Sequence, residues 1–229
     1  MKMTTRSALN PLLVSAAMLL ASAPALAIKP FTADYQASYM GLQGNGRMTL
    51  APAGGDRWKY SLDIHSALAQ LSQSTVFEDN GGKWRPLSGN DSSTFLIKQA
   101  NKNANYDWNK GEASWSGDIK SDRSGPVRLQ AGDLDAMLIN LAIARDVAAG
   151  KPLNYRMVED GRAKQMNYQV AGKDTVTIGG KPQQATKVMR SDGDKQTVLW
   201  LVDGLPVPAR ILQRRNGKDE TDLQLKSVH

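Results

Sequence analysis

Short runs of alternating apolar and polar residues, separated by glycine-containing turns, dominate the chain from residue 28 onward. Alternation places successive side chains on opposite faces of a strand. Residues 31–39 alternate in this way, Gly41, Gly44 and Gly46 supply a turn, and Arg47 to Leu50 alternates again. Trp58, Tyr60, Leu62 and Ile64 fall on one face of a further strand. Residues 93–97 read as a strand, and Asn109-Lys110-Gly111 reads as a hairpin turn between Tyr106–Trp108 and Ala113–Trp115. Later runs are punctuated by Asp160-Gly161, Gly179-Gly180, Asp192-Gly193, Asp203-Gly204 and Asn216-Gly217, the last a strong hairpin signal.

One segment changes period. Leu134, Met137, Leu138 and Leu141 recur at helical spacing, and Ala136, Ile139, Ile143 and Val147 form a second apolar stripe roughly opposite. Asp133 is the expected N-cap, and Gly150 and Pro152 stop the helix, which spans about 133–149. A helix apolar on two faces needs covering on two sides. The expected fold is therefore mainly β (α+β): a strongly curved antiparallel sheet, or a closed or unclosed β-barrel, with one central helix packed in or across it.

Residues 1–27 read as a cleaved signal peptide. Lys2 and Arg6 precede the apolar run Pro11–Ala21, and Ala25-Leu26-Ala27 is a small-x-small cleavage site. The expected mature chain begins at Ile28 as one β-rich domain in the periplasm. Residue 28 is not cysteine, which argues against lipid anchoring there, and no later apolar run is long enough to span a bilayer.

The chain has 229 residues, no cysteine and a formal charge of +7. Disulfides, thiol nucleophiles and cysteine-bound zinc are excluded. The basic residues are scattered, which disfavours a nucleic-acid groove. There are two histidines, and HExxH, G-x-S-x-G and S-x-x-K are missing, so no catalytic residue, metal site or cofactor is expected. Ser61, Asp63 and His65 share a strand face, but adjacent same-face positions are about 7 Å apart, too far for direct triad bonds. Asp192-Gly193-Asp194 lacks the further ligands of a calcium loop. The five tryptophans are either core or the lining of a cleft.

Arg145 lies at the helical angle of Leu134, Leu138 and Leu141, inside an apolar stripe. It is either the anchor for an anionic headgroup or a last-turn arginine that snorkels outward and caps carbonyls. Arg145, Met137 and Leu141 are the candidate ligand-binding residues.

The stretch Thr197–Ile211, containing Trp200-Leu201 and Pro208-Ala209-Arg210, followed by Asn216-Gly217, resembles the bacterial exported family called domain of unknown function 3108 (DUF3108). The helix and the opening Tyr35…Tyr39-Met40-Gly41 suit that family as well. The resemblance implies an exported β-rich protein and supplies no catalytic residues. A second, fold-level resemblance is to periplasmic lipoprotein carriers, unclosed barrels over an apolar cavity. The expected function is non-enzymatic binding of a lipid or another amphiphile in the sheet's concavity. The alternative is an envelope scaffold that binds another protein through a sheet edge or apolar patch.

Overall fold

The computed structural model describes residues 28–229; the expected signal peptide lies outside the described residues. The first strands, β1 (Phe31–Tyr39), β2 (Leu42–Pro52), β3 (Arg57–Ser66), β4 (Ala69–Asn80) and β5 (Lys83–Phe95), form an antiparallel meander. It continues through β6 (Lys98–Asp107), β7 (Glu112–Gly117) and the two-residue β8 (Val127–Arg128). After the helix α1 (Ala136–Ala148), β9 (Asn154–Glu159) and β10 (Arg162–Asn167) pair only with each other. The remaining strands are β11 (Gln169–Ile178), β12 (Lys181–Asp192), β13 (Lys195–Leu201), β14 (Arg210–Arg215) and β15 (Lys218–Val228). They join the first meander where β15 pairs with β1, giving a 13-stranded sheet with β11 and β8 at its two unpaired edges.

The fold is mainly β with a curved antiparallel sheet around one helix, as the sequence predicts, and of the open and closed forms the sequence allowed the sheet takes the unclosed one. Its concave face wraps α1: Tyr35, Met48, Tyr60, Phe77, Val188, Leu199 and Leu223 share one core with Leu138, Ile139 and Ile143 of the helix. The β9–β10 ribbon covers the helix from the other side. Leu134 forms a parallel bridge with Met157, and Val158 packs onward against Tyr106 and Trp115 of β6 and β7. A separate cluster of Ala185, Val198, Trp200 and Leu212 stabilises β12–β14 through alternate side chains.

Three local expectations are corrected. The helix begins two residues later than its period suggests. Leu134 is held in extended conformation by backbone bonds to Arg156 and Val158, and Asp133 accepts hydrogen bonds from Arg156 and the Gln130 amide. The N-cap is Asp135, whose Oδ1 accepts from the Leu138 N–H at 2.8 Å. Residues 93–97 are not one strand: β5 ends at Phe95, and Leu96 turns the chain at φ 54°.

Gly44 lies within β2 rather than in a turn, where a Cβ would stand 2.3 Å from the His65 carbonyl oxygen. Glycine there permits the close approach of β2 and β3.

Leu138 is fully buried between sheet and ribbon. Leu138→Ala is expected to destabilise the fold by about 2–5 kcal/mol, read as a lower urea midpoint with an unchanged slope.

Candidate functional site

Strand direction defines two ends of the sheet. The β1–β2, β3–β4, β5–β6 and β14–β15 turns lie at one end, and the β2–β3 and β4–β5 turns lie at the other. α1 starts beside the middle of β4, where Asp135 accepts from the Thr75 hydroxyl, and ends at the β4–β5 turn, where Arg145 donates to the Gly82 carbonyl. It therefore occupies only half the length of the concavity. The other half is a cavity of about 720 Å³ that extends to the β1–β2, β3–β4 and β5–β6 turns.

Its walls are mainly apolar. Ala37, Met48, Tyr60, Leu62, Ile64, Leu71, Ile211 and Leu223 come from the sheet, and Met137 from the first turn of the helix. The polar lining residues other than Glu159 are few and uncharged: Ser66, Gln70, Gln73, Ser93, Thr94, Asn140, Gln213 and Thr221. No lysine, arginine or histidine lines it, and Glu159 is the sole acid. An apolar concavity of several hundred cubic ångströms with a small set of polar groups is the usual form of a small-molecule site.

Glu159 belongs to a partly buried acidic group at the inner end of this cavity. Its Oε2 accepts from the Ala136 N–H at 2.7 Å, beside the capping Asp135. Both carboxyls line a small void of about 20 Å³, large enough for one water molecule, together with Asp91, Lys102 and Asp160. Burial pushes Glu159 up to about 8, helped by the charge of Asp135. Burial likewise raises Asp135 to about 6, against the lowering effect of its bonds from Thr75 and Leu138. Asp91 is raised by desolvation, which outweighs the opposing pull of Lys102. Burial thus favours the neutral form of Glu159, in which the carboxyl can both donate and accept.

The structure places the three candidate residues in different surroundings. Met137 is on the cavity wall, whereas Leu141 packs in the core and Arg145 lies at the far end of the helix. The Arg145 guanidinium binds both carboxylate oxygens of Asp146, at 2.7 and 3.1 Å, and stacks 4.2 Å over the Trp84 ring. These contacts, with the Gly82 carbonyl, satisfy an arginine at an otherwise apolar position.

No tryptophan lines the cavity. Asp63 accepts from Ser72, and the His65 ring meets Gln70, so these residues form cross-strand pairs rather than a triad. Asp192 pairs with Lys164 and Arg190, which hold its carboxyl down at about 2. Among the described residues there is no group of three or more His, Asp or Glu side chains suited to a metal ion. No described helix is long and apolar enough to cross a membrane.

Sheet, helix and cavity define a β-barrel-like protein with an internal apolar site. The chain belongs to the family described as "Protein of unknown function (DUF3108)", whose model matches residues 34–224. No curated protein is similar to it in sequence. Among solved structures it resembles a β-barrel-like protein of domain of unknown function DUF1849 from Brucella abortus, with 12% identity and a TM-score of 0.50. That match covers 87% of this chain and 97% of the other, and it establishes likeness of fold. The MucA/MucB complex of Pseudomonas aeruginosa also matches, at 12% identity and a TM-score of 0.40, over 87% of this chain and 51% of that one.

A folded state that retains protons released on unfolding loses stability as pH rises. The contribution of Glu159 is complete below its ordinary value of 4.5, declines through neutrality and is gone above about 8. Thermal midpoints should therefore fall between pH 5 and pH 8. Glu159→Gln, which keeps an acceptor for Ala136, should flatten that fall and raise the midpoint at pH 8 by a few degrees. Parallel pH profiles for the two proteins would refute the assignment.

Proposed function

We propose that this chain is an exported, periplasmic, non-enzymatic binding protein that receives the apolar part of a lipid or another amphiphile in its cavity. The observation that carries this reading is the 720 Å³ apolar concavity left beside α1. Transfer of acyl carbons from water to such walls is favourable by about 25 cal/mol per Å² of apolar surface removed, before ordering costs. The uncharged polar groups Gln73, Asn140 and protonated Glu159 supply hydrogen bonds at the inner end. The signal-like N-terminus motivates the periplasmic assignment.

The sheet-edge alternative has weaker support. Edge strand β11 carries a register shift between Val170 and Gly172, followed by Lys173, and edge strand β8 has only two residues. A bulge, a lysine and shortness are the features that blunt an edge against strand addition.

The test is titration of residues 28–229 with the environment-sensitive dye N-phenylnaphthylamine, followed by displacement with a fatty acid. Saturable, displaceable binding is expected. Gln73→Trp, which extends a bulky ring into the cavity, should weaken it at least about tenfold with little change in thermal midpoint. Absence of saturable binding to the native protein would overturn the reading.

Arg145→Met separates the two roles of the helix. It leaves the buried Asp146 with the Tyr155 hydroxyl but without its cation, so the fold should lose about 1–3 kcal/mol, while dye affinity stays at the native value.

A further inference from the structure

We infer that the turns around the cavity mouth form a surface that docks on a lipid bilayer. Seven large apolar residues are exposed among the described residues, and six of them lie at this one end: Tyr39, Met40, Leu68, Phe95, Leu96 and Ile97. They occupy the β1–β2, β3–β4 and β5–β6 turns, three neighbouring tips of the same sheet. Met40 is 69% exposed, Leu96 62% and Ile97 97%. An apolar cluster of this kind marks an interaction surface rather than ordinary surface scatter.

The backbone strengthens the argument. Met40 and Leu96 turn the chain at φ 48° and 54°, a region where asparagine and glycine fit and bulky side chains are disfavoured. Neither side chain recovers that cost by burial in the fold. Apolar residues are therefore kept at the tips at some expense to folding, as a function outside the fold would require.

Charge selects a membrane as the occupant. The segments Tyr39–Leu42, Ser66–Ala69 and Phe95–Lys98 contain no carboxylate, and Lys98 is their one formal charge. The adjacent β14–β15 turn at the same end adds Lys218, while its two carboxylates, Asp219 and Glu220, are paired with Arg214 and Arg215. Lysines beside apolar tips can keep their ammonium groups at the level of anionic headgroups while the tips enter the acyl boundary. Tyr39, Met40 and Phe95 belong both to this rim and to the cavity wall. A docked rim would therefore place the cavity mouth directly against the leaflet. This inference extends the binding reading, but its test is separate.

The experiment is flotation of residues 28–229 with vesicles of phosphatidylcholine alone and of phosphatidylcholine containing a minority of phosphatidylglycerol. The native protein should float with both and more completely with the second. The triple variant M40N/L96N/I97G installs asparagine at both positive-φ positions and glycine at the second tip. It should retain or raise the thermal midpoint and lose vesicle binding at least about tenfold. Lys98→Glu should reduce binding to the phosphatidylglycerol vesicles alone. Gln73→Trp, which obstructs the cavity, should float like the native protein, so that a failed cavity and a failed rim give different results. Lack of flotation by the native protein, or equal flotation by the triple variant, would overturn the inference. Capture of a protein by the rim without flotation would overturn it too.

Discussion

The structure depends on one requirement: a single helix that is apolar on both faces has to be covered on both. The sheet supplies one cover, and the β9–β10 ribbon supplies the other. The cavity follows from a mismatch of lengths. α1 has 13 residues and is about 20 Å long at 1.5 Å per residue. β4 has 12 residues and is about 40 Å long at 3.4 Å per residue. A helix half as long as the strands that wrap it fills half their concavity. Because Arg145 and Trp84 fix its C-terminal end at the β4–β5 turn, the unfilled half falls at the opposite end.

The same geometry explains what could be read from the sequence. Helical period, turn dipeptides and the alternation of β1 and β3 are direct records of burial, and they yield a mainly β fold around one helix. β4 leaves a fainter record. Gln73 faces an open cavity instead of a packed core, so that position is under no pressure to be apolar. The β5–β6 turn is hidden for a related reason. Phe95, Leu96 and Ile97 have the composition of a strand, and only their pairing register, with Phe95 opposite Lys98, shows the bend.

Arg145 illustrates a second limit. Its position in an apolar stripe is visible from helical spacing, but its partners are not. Asp146 is its neighbour in sequence and could have pointed elsewhere, while Gly82 and Trp84 are about sixty positions away. Asp133 and Asp135 show the same ambiguity. Either could cap the helix by composition, and the choice is made by Arg156 and Met157, which hold residues 133 and 134 in an extended path. Glu159 has no local signal at all, because its surroundings come from β4, β5, β6 and the start of α1.

The uncharged interior constrains how an amphiphile could occupy the cavity. Burying an ionised headgroup without a partner is far more costly than burying an acyl chain is favourable. No lysine or arginine lines the cavity to compensate an anion, so a charged head must remain at the mouth while the chain lies inward. Glu159 would then act on occupancy through its own proton. When protonated, it offers a neutral hydrogen-bonding group to whatever reaches the inner end. When ionised, it adds a negative charge at the inner end of the cavity and opposes an anionic ligand. The site near Glu159 that lowers stability as pH rises is thus also the place where a bound amphiphile would sense that change.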